Sequence, residues 1–413
     1  MQNPDQDRVR AGAAPDSIPD SVPASASIPI FAICIAAAIA LAVAMGVGRF
    51  AFTPLLPLMV RDGVLGGNDG AWIAASNYLG YLVGAMVAAR LPFSMLTLLA
   101  ASLVGIVLTT AGMGLGNAFS VWALLRFGAG VLSAWGLVST SAWVLGHLAR
   151  AGRPHLAGVV YTGVGLGIAL TGAYCLVAAR PGVQAAQLWL ELGLLAALAS
   201  AFPLVLSRRA GLPHARLPSQ PRPPQPPGTQ GRVVAAIIVG YALFGFGYIL
   251  PATFLPAMAR ELVDDPRVFG WAWPLFGLAG ALSTLFMAWR LGRANRLRVW
   301  AVAQALMGLG VLLPSLWLSL PSVVLAAFLV GGTFMVVTVL ALQEGNARGG
   351  VNPTRLLALM TAVFALGQLL GPLLPVALEL VTAGPERALA HALQFGAAGL
   401  LLSALLLWRV SAD

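Results

Sequence analysis

Two arginines lie inside long apolar stretches of the chain, where positive charge is unexpected. Arg49 falls within residues 29–59 and Arg126 within residues 118–146. A charged side chain in the middle of a membrane-length helix costs about 2.5–3.5 kcal/mol to insert, so it normally faces protein or water. A guanidinium presents five N–H donors in a planar fork that suits a carboxylate. The two arginines therefore predict a buried site for a negatively charged group.

Three uncharged polar side chains lie in other apolar stretches: Asn77, Tyr248 and Gln368. The two helices run in opposite directions, and at ~1.5 Å per residue both arginines lie ~12–15 Å below the outer membrane surface. The other three residues lie from slightly outside the midplane to near it. We expect the arginines to bind ligand charge, and Asn77, Tyr248 and Gln368 to orient the ligand by hydrogen bonds. A second tier of candidates comprises Tyr81, Tyr161, Tyr241, Thr333 and Thr338.

A structural role is the alternative for each of these residues. The Arg49 guanidinium would then bind backbone carbonyls that are freed where prolines interrupt the first helix. Arg126 would lock its helix to another one. Asn77 and Gln368 would act as hydrogen bonds between helices, as amide side chains do in membranes.

The acidic residues avoid the middle of the apolar stretches. Glu344 and Glu379 lie near helix ends and are the candidates for a proton-coupling site. A buried carboxylate is the usual counter-charge for a cation, so its absence argues against a cationic ligand. Two arginines without such a partner favour a small organic or inorganic anion.

Motifs for catalysis, metal binding and ATP binding are missing from the sequence. The four histidines and two cysteines, Cys34 and Cys175, show no HExxH or CxxC spacing, and there is no GxxxxGK[ST] loop. We therefore expect neither an enzyme nor a bound metal or other cofactor.

The elements that must position these residues are long apolar helices. Of the 413 residues, 59% are hydrophobic and 9% are charged, against roughly 25% charged in an average soluble domain. A bilayer accepts helices of about 20 apolar residues that satisfy their own backbone hydrogen bonds. The predicted fold is an all-α membrane protein of about twelve transmembrane helices in two six-helix bundles. The apolar runs are 29–59, 71–90, 93–115, 118–146, 157–179, 186–207, 232–258, 268–289, 299–314, 321–343, 355–378 and 388–408.

A polar, proline-rich stretch divides the chain near its middle. Its composition cannot bury apolar area, which is typical of a linker. The predicted organisation is a disordered cytoplasmic tail (1–27), a first bundle (28–207), a cytoplasmic linker (208–231), a second bundle (232–409) and a short tail (410–413).

The basic residues are distributed unevenly among the loops. The net charge is +10, and most of the 24 basic residues, all arginine, fall in the tails, the linker and alternate loops. This positive-inside pattern predicts a multi-pass protein of a bacterial inner membrane with both termini in the cytoplasm. The arginines form no single soluble patch, so no nucleic-acid partner is expected. We interpret Trp271 and Trp273 as aromatics at the membrane interface.

The end of the first helix is repeated at the end of the seventh. Glycine pairs spaced four apart, Gly163 with Gly167 and Gly367 with Gly371, predict close helix packing and smooth seams along which one half moves against the other. The matched residues of the repeat, all at one constant spacing, are Gly46, Gly48, Leu56, Pro57 and Met59 with Gly245, Gly247, Leu255, Pro256 and Met258.

Three segments carry a resemblance to a known family. They are Met45–Met59, Ser76–Tyr81 and Leu366–Pro372, and they resemble the YbfB/YjiJ-like branch of the major facilitator superfamily. The resemblance covers essentially the whole chain. It implies a monomer of two six-helix bundles that moves a solute by alternating access. Leu125–Gly130 is similar to the superfamily's arginine motif in its fourth helix, which implies a role for Arg126 at the cavity or in proton coupling.

These features together predict a secondary transporter that moves a small solute, an organic or inorganic anion, across the membrane. Its partners would be this substrate, the lipid bilayer and possible coupling protons. One alternative is a broad efflux transporter for amphipathic compounds, which the apolar, aromatic interior favours. The alternative of another class is a polytopic membrane sensor.

Overall fold

The structure is a computed structural model in which all the long elements are helices. It describes residues 28–66, 68–88, 90–153, 156–211, 229–263, 265, 270–290, 294–349, 353–382 and 384–412. The predicted tail at 1–27 and most of the predicted linker, residues 212–228, lie outside the described residues.

Twelve helices follow the twelve predicted apolar runs to within a few residues. Within the described part of the chain, eleven are long and apolar enough to cross a membrane, and the eighth contains a shorter apolar stretch, Ala272–Met287. The predicted all-α membrane fold is confirmed. The helices are α1 Ile30–Arg61, α2 Asp69–Ala88, α3 Met95–Leu115, α4 Phe119–Arg150, α5 Ala157–Ala178, α6 Ala185–Ala210, α7 Thr229–Leu262, α8 Ala272–Arg290, α9 Arg296–Leu316, α10 Leu320–Arg348, α11 Pro353–Glu379 and α12 Pro385–Val410.

The surface around these helices is apolar. Large aliphatic side chains are exposed along most of the helices, which suits contact with lipid tails rather than water. Examples are Leu108, Leu124, Leu170, Leu198, Leu282, Leu325, Leu370 and Leu405.

Helix α1 is interrupted in its middle. Its α-helical part Ile30–Leu41 passes into a π-helical turn, Ala42–Val47, and regular α-helix resumes at Phe52. Proline 54 supplies no N–H to the preceding turn, and the Thr53 N–H turns to the Phe50 carbonyl at 3.2 Å. The carbonyl of Arg49 is therefore left to accept a hydrogen bond from a side chain.

The packing of the first six helices is repeated in the last six. Helix α2 packs on α4 and α3 on α6, as α8 packs on α10 and α9 on α12. The two sets meet where α2 packs on α11 and where α5 packs on α8, two contacts that the same repeat relates. Thr53 Oγ1 donates to the Ala252 carbonyl at 2.8 Å, which joins two positions that the repeat aligns.

The glycine pairs of α5 and α11 lie inside each set rather than between the sets. A Cβ on Gly163 or Gly167 would meet the backbone of α1. A Cβ on Gly367 or Gly371 would meet α7. The expectation that these pairs form a sliding seam between the halves was therefore wrong, because their faces are already occupied by neighbours in the same set.

Other glycines bring the two sets together. A Cβ on Gly165 would overlap the backbone of Gly277 and Ala281, and a Cβ on Gly172 would overlap Pro274. These contacts place α5 and α8 backbone to backbone. The spacing of small residues predicted close helix contact correctly, but it did not predict which partner each face would meet.

Candidate functional site

A chain of hydrogen bonds links the two sets at Arg49. Arg49 Nη2 donates to Gln368 Oε1, and Gln368 Nε2 donates to the Tyr248 hydroxyl. Arg49 comes from the interrupted part of α1, Gln368 from α11 and Tyr248 from α7. All three side chains are buried, Gln368 completely. Three of the five predicted ligand-binding residues are therefore in direct contact.

Arg126 reaches the same site from α4. Its Nη2 donates to the carbonyl of Arg49 at 2.7 Å, the carbonyl that the interruption of α1 leaves free. The two arginines, which were predicted to share a depth, are thus in direct contact. Asn77 Nδ2 donates to the Arg126 carbonyl at 2.8 Å and ties α2 to α4. Asn77 therefore connects to the chain through backbone atoms.

Aromatic rings surround the Arg49 guanidinium. Its central carbon lies 3.7 Å from the centroid of the Tyr81 ring, 5.4 Å from that of Tyr78 and 5.5 Å from that of Phe50. Cation–π attraction of this kind is worth ~2 kcal/mol or more in a desolvated place. Tyr81 covers the flat face of the guanidinium, which leaves its N–H edges to form hydrogen bonds.

Several buried polar atoms at the site have no hydrogen-bond partner. They are Nε and Nη1 of Arg49, Nε of Arg126 and Oδ1 of Asn77. Among the described residues, the salt bridges pair Arg61 with Asp62 and Glu344 with Arg296 and Arg348, so they involve neither buried arginine. The site holds two positive charges and three unpartnered N–H donors, and such buried groups are costly unless they are paired.

The three tyrosines of the second tier make three different contacts. Tyr81 contacts Arg49, and Tyr241 stacks on Phe364 with ring centroids 4.7 Å apart. Tyr161 donates to Ser141 at 3.0 Å, within the first set.

Thr333 and Thr338 hydrogen-bond to carbonyls of their own helix, α10. Each hydroxyl donates to the residue four positions earlier, Leu329 for Thr333 and Phe334 for Thr338. Such back-bonding is how threonine hydroxyls are commonly satisfied inside helices.

The two acidic candidates lie at opposite ends of the helices. Glu344 is buried on α10 and pairs with Arg348 at 2.8 Å and with Arg296 of α9 at 3.6 Å. Glu379, at the end of α11, accepts a hydrogen bond from Asn68 at 2.7 Å, which joins the two sets. Their coupling role stays a prediction.

A further contact between the sets was not foreseen. The Tyr78 hydroxyl lies 3.0 Å from Thr253 Oγ1, and Thr253 donates its own proton to the Ile249 carbonyl at 2.7 Å. Tyr78 must therefore be the donor. The bonds of Thr53, Tyr78 and Asn68 across the sets all lie toward the end of the helices opposite Ile30 and Val410, which we call the far end.

Tryptophan 273 is not an interfacial aromatic. Trp271 is 53% exposed, as predicted, but Trp273 is fully buried and stacks on Phe276 at 4.9 Å. Trp271 and Trp273 lie on opposite faces at the start of α8. The Trp273 ring faces the first set, and its centroid lies 6.1 Å from that of the Phe50 ring. Its three-residue spacing from Phe276 was the available sign of a buried face.

Residues 41–408 match the family described as "Uncharacterised MFS-type transporter YbfB". The chain belongs to this family. It is a multi-pass membrane protein and an MFS-type transporter, not a member of an enzyme family. The match spans both sets of helices and includes Arg49, Arg126 and Gln368. A comparison of the transporter with curated proteins found no match.

Proposed function

We propose that the transporter moves a small anion across the membrane by alternating access, with Arg49 as the residue that binds its negative charge. The observation that carries the proposal is the state of Arg49: a buried guanidinium with two unpartnered nitrogens and, in the part of the chain that the structure describes, no carboxylate in a salt bridge with it. A bound anion would supply the missing charge and accept the free N–H groups.

Arg126 would act on the same anion mainly by positioning Arg49. Its hydrogen bond to the Arg49 carbonyl holds the interrupted turn of α1, and its charge adds to the positive potential of the site. Gln368 and Tyr248 would orient the anion, and Asn77 would fix Arg126. The second set would thereby contribute polar contacts, and the first set would contribute the charge.

Orientation and coupling complete the proposal. The distribution of arginines favours cytoplasmic termini in a bacterial inner membrane, so the far end would face outward. Coupling by proton symport and by anion exchange are both compatible with the site, and Glu344 and Glu379 are the acidic residues to substitute in distinguishing them. A monomer suffices, since the site is formed within one chain.

The first test measures binding to purified protein. Anions such as benzoate and phosphate should raise the melting temperature, because a ligand of the folded state stabilises it by mass action. Matched cations and neutral solutes should not. Arg49→Gln should weaken anion binding at least ~100-fold, since two charge-assisted hydrogen bonds are worth ~3 kcal/mol or more.

The matched control is Arg298→Gln, which removes an arginine that lies over Trp408, 5.8 Å from its ring, in a different part of the protein. Without ligand, Arg49→Gln should differ little in stability from the parent, because the loss of its ring contacts and its hydrogen bond to Gln368 offsets the removal of a desolvated charge. Equal anion binding by the parent and Arg49→Gln would overturn the proposal.

Efflux of amphipathic compounds is the second candidate, and the buried aromatic rings of the second set favour it. Cationic dyes that stabilise the purified protein, together with raised dye tolerance in expressing cells, would support it. The same result would make Arg49 a structural residue.

A further inference from the structure

Seven aromatic rings of the second set form a continuous buried surface, which we call the aromatic wall. Neighbouring rings along it have centroids 4.7–6.1 Å apart. They come from α7, α8, α10 and α11 and are all buried. The members are Tyr241, Phe244, Tyr248, Trp273, Phe276, Phe334 and Phe364.

The aromatic wall meets the Arg49 site at two places. Tyr248 belongs to the wall and is joined to Arg49 through Gln368. Trp273 belongs to the wall and contacts Phe50, the residue after Arg49. The anion-binding group of the first set is therefore flanked by flat apolar faces of the second set.

One ring of the wall also carries an unpartnered donor. The indole Nε1 of Trp273 is buried and has no hydrogen-bond partner, as is also true of Trp135 and Trp189 among the described residues, whereas a buried tryptophan N–H usually finds one. Arg49 Nε and Nη1 are unpartnered as well. The Arg49 guanidinium lies by Phe50, whose ring contacts Trp273, so a ligand with both an anionic and an apolar part would meet the charge and the wall together.

We propose that the substrate is an organic monoanion with a flat apolar body, such as an aromatic carboxylate. Its carboxylate would accept from Arg49, and its ring would lie against Tyr248 and Phe364. Among the described residues, Arg49 is the arginine that donates to Gln368 and so joins the hydrogen-bond chain leading to the wall, whereas Arg126 Nη2 donates to the Arg49 carbonyl. This inference rests on the proposed anion transport and goes further by fixing the substrate class.

The ring contributes affinity that an inorganic anion cannot gain. One aromatic contact is worth roughly two- to tenfold in affinity, and several rings line this wall. The carboxylate contributes what a neutral aromatic cannot gain, since it alone neutralises Arg49. A ligand with only the aromatic ring or only the negative charge should bind weakly, and a ligand with both should bind well.

The test compares probes that differ by one part. Dissociation constants are measured by calorimetry on the purified, full-length protein for benzoate, acetate, chloride, benzyl alcohol and benzylamine. Benzoate should bind at least tenfold more tightly than acetate or chloride, and benzyl alcohol and benzylamine should not bind measurably. The same ranking should appear as inhibition of benzoate uptake into proteoliposomes.

Two variants then assign the effect to the wall. Phe364→Leu should weaken benzoate binding at least threefold and leave acetate binding unchanged. Phe328→Leu, which changes a ring that is 59% exposed on the outer face of α10, should alter neither. The series on the parent protein decides the matter even if Phe364→Leu does not fold.

The outcomes separate this inference from the proposed function. Acetate or chloride binding as tightly as benzoate would overturn the substrate class and leave anion transport intact. Equal losses for benzoate and acetate in a folded Phe364→Leu would do the same. Binding of benzyl alcohol or benzylamine but no anion would overturn both.

Discussion

Substituting Gln368 by glutamate places a carboxylate where Arg49 has none. Gln368 Oε1 already accepts from Arg49 Nη2, so Gln368→Glu keeps the shape of the contact and adds one negative charge. Two unit charges ~4 Å apart attract by ~4 kcal/mol at an effective dielectric constant of ~20. Desolvating the new carboxylate costs several kcal/mol, so the melting temperature of the ligand-free protein should change little.

The affinity for anions should change far more than the stability. A bound anion in Gln368→Glu would meet a neutral pair and lose most of the ~4 kcal/mol of attraction, which corresponds to a dissociation constant roughly 100- to 1000-fold higher. Anion binding to Gln368→Glu at neutral pH should therefore be lost or strongly weakened.

Calorimetry with benzoate at neutral pH measures this directly. The matched control is Gln304→Glu in α9, another fully buried glutamine, which donates to the Gly240 carbonyl at 3.0 Å. There a carboxylate would face a carbonyl, so the melting temperature should fall while any remaining anion affinity is unaltered. Undiminished benzoate binding by Gln368→Glu at neutral pH would refute the assignment of Arg49 as the anion site.

Two further predictions concern how the helices are held together. Tyr78→Phe removes the hydroxyl that donates to Thr253 but leaves Thr253 bonded to Ile249, so no buried donor loses its partner. The free energy of unfolding should fall by ~1 kcal/mol, measured by thermal melts. An unchanged melting temperature would contradict a hydrogen bond between the sets at this place. Gly80→Ala places a Cβ against the Phe127 carbonyl of α4 and should lower the yield and the melting temperature of the protein. The control Gly128→Ala, whose Cβ would meet a methyl group at an ordinary contact distance of 3.6 Å, should be tolerated. Similar losses for both variants would mean that α2 and α4 can separate.

The positions of the helices along the chain could be predicted from the sequence, because each helix must cross an apolar medium on its own. Run length and charge at the run ends located α2 and α5 to within a few residues. The shared depth of Arg49 and Arg126 followed from counting along two helices of opposite direction. These properties depend on one helix at a time.

The partners of each face were harder to predict, because they depend on which helices become neighbours. Gly163 was assigned to the interface between the sets, but α1 occupies its face. Trp273 was assigned to the membrane interface, but rotation about α8 turns it inward, while Trp271 two positions earlier faces outward. The contact of Gln368 with Arg49 spans 319 positions and leaves no periodic sign in the sequence.

The interrupted turn of α1 has a mechanical consequence. The stretch before it is tied to α5, where Gly163 meets Ala38 and Gly167 meets Ala42, while Thr53 after it is bonded to α7. Arg49 sits at the joint between these two attachments. A rotation of one set against the other must bend α1 at this joint and re-aim the guanidinium. If Arg49 binds the substrate as proposed, the charge of the substrate and the angle of α1 are coupled through this one residue.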